Sequence, residues 1–104
     1  MDGMTISLLD NLDRFARQAV GHYGNARQID KAIEECDELS EALTQYQAAS
    51  GLVDRDAYGR HVIGEIADVI IMAQQMRLVF GAQAVDAMID EKIDRQRKRM
   101  QEGE

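Results

Sequence analysis

The segment from Ile63 to Phe80 constrains this chain more than any other feature. Its apolar residues, among them Ile66, Val69, Ile70, Ile71, Met72, Met76, Leu78 and Val79, fall on nearly every side of a helical wheel. A helix that is apolar all round must be covered all round. A chain of 104 residues buries a modest share of its surface and has few other elements to do the covering. Either the rest of the chain sandwiches this helix, or a second subunit packs against it. The tightness of the first arrangement makes the second the expectation: a dimer, or a dimer of dimers.

The remaining sequence reads as helix too. Proline and tryptophan are absent, with only three Tyr and two Phe, a composition that favours helices over strands. Glycines punctuate the pattern: Gly21 and Gly24 bracket a break, Gly51 follows QAAS, and Gly81 follows MRLVF. Four helices are predicted, over about 7–22, 26–50, 56–80 and 82–101, with Asp54 or Asp56 as the N-cap of the third. Short connections between neighbours imply an antiparallel four-helix bundle forming a single domain over 1–104. In the second helix, Ile29, Ile33, Cys36, Leu39, Leu43 and Tyr46 mark the expected core face, which makes Cys36 a small buried hydrophobe.

Charge and cysteine content narrow the function classes. Nineteen acidic against 12 basic side chains give a net charge of −7, which opposes binding to a nucleic-acid backbone. The basic cluster near the C-terminus is short and alternates with Asp90, Glu91 and Asp94, so no nucleic-acid partner is expected. One cysteine excludes an internal disulfide framework and a thiolate zinc cluster. The longest unbroken apolar run, Val69 to Ala73, is far short of a membrane span. The opening MDGMTISLLD carries no positive leader ahead of its apolar residues, so no secretory signal is expected and the location is read as cytoplasmic.

Two carboxylates interrupt the apolar segment. Glu65 points the same way as Val69, Met72 and Met76, and Asp68 lies about 60° to one side. An ionised carboxylate in apolar surroundings needs a positive partner. The second helix brings more acid, in the run Glu34, Glu35, Cys36, Asp37, Glu38. Glu35 and Glu38 are three residues apart and share a face. Antiparallel packing lets them converge on Glu65 and Asp68, and four carboxylates in one place repel one another unless a cation joins them. Lys31 is the only basic side chain between Arg27 and Arg55. All-oxygen ligation suits Mg²⁺, with Mn²⁺ as its substitute. Neither His22 nor His61 stands three residues after a Glu, which excludes the Glu-x-x-His pattern of di-iron bundles. His61, one turn before Glu65, reads as a helix-terminal residue. Glu34, Asp37 and Glu41 point further toward solvent and, by spacing alone, read as a solvated face.

The EExxE motif at Glu34, Glu35 and Glu38, followed after 26 residues by ExxD at Glu65 and Asp68, resembles the MazG-like all-α nucleoside triphosphate pyrophosphohydrolase superfamily. That superfamily also holds dimeric dUTPases, dCTPases and phosphoribosyl-ATP pyrophosphohydrolase. Tyr23 and Gly24, Gln28 and the C-terminal KIDRQRKRM fit the same pattern, so the resemblance covers about 23–100. It implies that Glu35, Glu38, Glu65 and Asp68 hold Mg²⁺, and that Glu34 binds a second ion or positions the attacking water. It also implies that Lys92, Arg95 and Arg99 contact phosphates and that Gln28 touches base or sugar. Gln96 departs from the family, where many relatives carry Asn, and the chain lacks the tandem duplication of longer MazG proteins.

The expected activity is hydrolysis of a nucleoside triphosphate to its monophosphate and pyrophosphate by a homodimer or homotetramer. Phosphoribosyl-ATP hydrolysis uses the same metal grammar and is the alternative within the superfamily. A different class of reading is a non-catalytic oligomerisation or regulatory module that keeps the acids as a structural metal site. Five cations within Lys92–Arg99 also complement the C-terminal end of a helix, for a few tenths to about 1 kcal/mol each.

Overall fold

A computed structural model describes residues 7–103; the opening six residues, part of the predicted leaderless N-terminus, lie outside them. The described residues form four helices and no strands: α1 (Leu8–Tyr23), α2 (Asn25–Ala48), α3 (Leu52–Phe80) and α4 (Ala82–Gln101). Among the described residues, no helix is long and apolar enough to cross a membrane.

The helix boundaries follow from local chemistry. Ser7 caps α1, its hydroxyl accepting a hydrogen bond from the Asp10 amide at 3.1 Å. Gly24 alone separates α1 from α2, and Gly81 alone separates α3 from α4. Their φ angles, 86° and 112°, lie where an L side chain is strained, so each break needs glycine. Gly21, read from the sequence as part of the first break, sits inside α1. The start of α3 differs more. The helix begins at Leu52, with Gly51 in the N-cap position and no side-chain cap, so Asp54 and Asp56 lie inside the helix. Asp54 still complements the amino-terminal end of the helix dipole, and Asp56 pairs with Arg60 one turn on. α2 stops at Ala48, two residues before the expected end.

α3 is the hub: α1, α2 and α4 each pack on it, while α4 approaches no other described helix. Among the described residues only Ala16, Ala19, Ala42 and Met72 form a buried apolar core, and α4 buries no residue. On α2 the inward line is Gln28, Glu35 and Ala42, a seven-residue repeat. That rotates the helix away from the expected core face. Cys36 is exposed, and so are Ile33, Leu43 and Tyr46. The reason lies in tertiary placement. The apolar sector of α2 is broad, and α1 and α3 take only its acidic flank, leaving the other flank bare. On α3 the buried pair Met72 and Gln75 faces the bundle, while Ile63, Ile66 and Ile70 project from the opposite side and are exposed.

Candidate metal and ligand site

Two features occupy the junction of α1, α2 and α3: a cluster of glutamates and a cavity beside it. Glu35 and Glu38 come from successive turns of α2, and Glu65 from α3. Each places one carboxylate oxygen within 4.8 Å of those of the other two. Glu35 is buried at 6% exposure, and the Glu65 side chain retains only 12%.

The charges in this cluster do not balance. Lys31 Nζ stands 3.2 Å from Glu35 Oε1 and 3.5 Å from Glu34 Oε1, one turn away on the same helix. Hydrogen bonding to Glu35, followed by the charges of Glu34 and Glu35, raises the Lys31 pKa. His61 Nε2 lies 3.9 Å from Glu65 Oε1, too far for a hydrogen bond. One cation therefore stands against three clustered carboxylates and Glu34. The effect registers on Glu38, whose pKa is raised first by desolvation and then by the charges of Glu35, Glu65 and Glu34. Glu35 Oε2 and Glu65 Oε2 are buried with no hydrogen-bond partner. Buried anionic oxygens without donors are costly unless a cation takes their lone pairs. Three converging carboxylates, two with orphaned oxygens, fit a hard divalent cation such as Mg²⁺ or Mn²⁺.

The cavity measures about 490 Å³, in the range of small-molecule sites. Glu35 and Asp68 line it, so it opens onto the acid cluster. Phe15 and Tyr23 from α1 and Met72 from α3 give it apolar walls. Besides Glu35, its buried polar residues are Gln28 and Gln75, at 5% and 2% exposure. Arg27 and Lys31 supply positive charge.

The structure treats the sequence-predicted residues unequally. Glu35, Glu38 and Glu65 come together, as the motif spacing implies. Asp68 is exposed and lines the cavity instead of joining the three glutamates. Glu34 is exposed beside Lys31. Gln28 lines the cavity. Lys92, Arg95 and Arg99 line a separate groove of about 210 Å³ on α4 with Gln96, and none of them reaches the cavity within one chain. There Arg95 meets Glu91 at 3.6 Å, and Arg99 donates to Gln96 Oε1 at 3.3 Å. Sequence reasoning missed Gln75. Its one signal was an amide on an apolar helix, seven residues beyond Asp68 and so on nearly the same face. Compared with family models, curated proteins and solved structures, the chain matches none.

Proposed function

We propose that this chain is a divalent-metal-dependent nucleoside triphosphate pyrophosphohydrolase of the MazG-like kind. The observation that carries the reading is the pair of buried, partnerless oxygens on Glu35 and Glu65, converging with Glu38 at the edge of a ligand-sized cavity. In this reading Glu35, Glu38 and Glu65 hold Mg²⁺, or Mn²⁺ in its place, with Asp68 at the cavity's edge as a further oxygen donor. The bound ion supplies charge neutralisation for a polyphosphate that an acidic protein would otherwise repel.

The chain's own groups do the rest. Glu34, open to solvent beside the cluster, accepts a proton from the attacking water. The water oxygen bonds to the α-phosphorus, the bond from that phosphorus to the bridging oxygen breaks, and pyrophosphate leaves with that oxygen. Gln28 and the apolar walls hold the nucleoside end, while Arg27 and Lys31 attract the anionic end.

Lys92, Arg95 and Arg99 bind phosphates in this reading, yet they line their own groove in the single chain. Association into an antiparallel-bundle homodimer or homotetramer lets α4 of one copy serve the cavity of another. The bare flanks of α2 and α3 favour such association.

The test is a pyrophosphate-release screen with Mg²⁺ or Mn²⁺ across ribo-, deoxy- and modified nucleoside triphosphates, with phosphoribosyl-ATP included. Pyrophosphate and the matching monophosphate are expected in equal amounts. Silence across the panel from a chain that still binds Mn²⁺ would overturn the hydrolase reading.

A further inference from the structure

Gln75 is the least exposed polar side chain of the described residues, at 2%, and its Oε1 has no hydrogen-bond partner. A leucine or methionine would fill the same place without desolvating an amide. A buried amide left unpaired is destabilising by roughly 1–3 kcal/mol. Gln75 lines the cavity, and so does Gln28, itself 5% exposed. Two buried amides therefore border one space whose walls are Phe15, Tyr23 and Met72.

The placement along the helices is regular. Gln28 lies seven residues before Glu35 on α2, and Gln75 seven residues after Asp68 on α3. Each interval spans about 10 Å of helix axis. All four side chains line the cavity, so the amides and the acids are set two turns apart along it. That span is comparable with the reach from the edge of a base, through its sugar, to the first phosphate.

We propose that Gln75 is the specificity-determining residue of this cavity and reads the hydrogen-bonding edge of a heterocyclic base. Rotating its terminal amide by a half-turn presents either the oxygen or the NH₂ to the same spot. It therefore matches an edge that carries a donor beside an acceptor, which is the character of a nucleobase edge. The aromatic and thioether walls accept the flat apolar faces of such a ring. A sugar phosphate alone has hydroxyls that an amide can meet but no flat ring face for the walls, and it is shorter than the two turns between the acids and Gln75. The inference rests on the cavity being the nucleotide site proposed above, but it concerns binding and does not require turnover.

The experiment uses the full chain, metal-free and with diamagnetic Mg²⁺, and titrates it with the deoxynucleoside monophosphates of each base and with ribose 5-phosphate. The first readout is the side-chain amide resonance of Gln75 in the wild-type chain, assigned through its backbone. It is expected to shift with at least one base-bearing probe and to stay still with ribose 5-phosphate. The second readout is affinity in Gln75→Leu. A base preference of about tenfold in the wild type is expected to collapse to within about threefold, the scale of one lost hydrogen bond. Mn²⁺ affinity is expected to stay unchanged. No shift of the Gln75 amide with any base would overturn the proposal, whether or not the variant folds. So would a base preference that survives in Gln75→Leu. A chain that binds a base through Gln75 yet releases no pyrophosphate would lose the hydrolase reading and keep this one. A chain that hydrolyses triphosphates with the same base preference in both forms would do the reverse.

Discussion

Glu38 is the residue whose ionisation the folded chain disfavours. Desolvation, then the charges of Glu35, Glu65 and Glu34, raise its pKa above the ordinary 4.5. A raised carboxyl contributes stability that is complete below its unfolded pKa and is lost as pH rises through the folded value. Metal-free wild type therefore loses stability, relative to Glu38→Gln, as pH climbs from 4.5. Melting curves in EDTA at several pH values check this: the variant melts higher at neutral pH, and the gap closes toward pH 4.5. On the proposed metal reading, the order is expected to reverse with Mn²⁺. Wild type at about 100 times its Kd gains about 2.7 kcal/mol, on the order of 10 °C, and Glu38→Gln gains much less. The proposed ligand set also ranks the acids. Glu65→Gln, which removes a buried orphaned oxygen, weakens Mn²⁺ binding about 100-fold or more, the upper end for groups that support a metal site. Asp68→Asn, at an exposed position outside the three-glutamate group, weakens it less. Calorimetric titration with Mn²⁺ measures both. The motif spacing alone does not separate Glu65 from Asp68. Both lie on one stripe of the wheel, and only the packing of α2 against α3 decides which faces Glu35.

At the scale of the elements, the glycines made three of the four helices legible nearly to the residue. The third began earlier than expected because positive-φ Gly51 started it, where the acids Asp54 and Asp56 had looked like caps. The inward face of α2 was not legible, because a broad apolar sector does not say which of its flanks meets a neighbour. The corner between α3 and α4 carries its own prediction. Arg77 clasps Asp86 with two hydrogen bonds, at 2.6 and 2.8 Å, and reaches Asp13 of α1 at 3.8 Å. The hydrogen bond from Arg77 holds the Asp86 carboxyl below the ordinary 3.8. That stabilisation is present above 3.8 and is lost as pH falls through the depressed value. Asp86→Asn therefore lowers the melting temperature at neutral pH, and the difference from wild type disappears in acid below that value. Two glycines of α3 and its end should respond in opposite directions. Gly81, at φ 112°, cannot take a side chain without strain, so Gly81→Ala destabilises by about 1–3 kcal/mol. Gly64 sits inside the helix with open space where a Cβ would stand, so Gly64→Ala stabilises by about 0.5–1 kcal/mol. Urea unfolding of the two variants reads both signs.

The whole molecule is more open than a compact chain of its length. Its radius of gyration is 17.1 Å, against about 13 Å for a compact chain of this length. It exposes 8035 Å², where a compact monomer of its mass exposes about 5,900 Å². The excess, about 2,000 Å² per chain, is on the scale that obligate homodimers bury. Its location is specific: Ile63, Ile66 and Ile70 on α3, Ile33 and Leu43 on α2, and Met88, Ile89 and Ile93 on α4 are all exposed. The apolar girth of α3 is the sequence feature behind this, since α1, α2 and α4 leave part of it uncovered. A second copy of the chain is the expected cover, with α3 at its centre. Sedimentation equilibrium at micromolar concentration is expected to give at least twice the 11.7 kDa chain mass. Ile66→Glu and Ile70→Glu, which place charge on the bare face at positions outside the three-glutamate group and the cavity lining, are expected to shift the population toward monomer and lower the melting temperature. Wild type that sediments as a stable monomer would sink the idea. So would charged variants that associate as wild type does. Dissociation by Ile66→Glu that leaves Mn²⁺ binding intact but removes turnover would place the cations of α4 in the neighbouring copy's site, because the three glutamates belong to one chain and the groove of Lys92, Arg95 and Arg99 does not reach them.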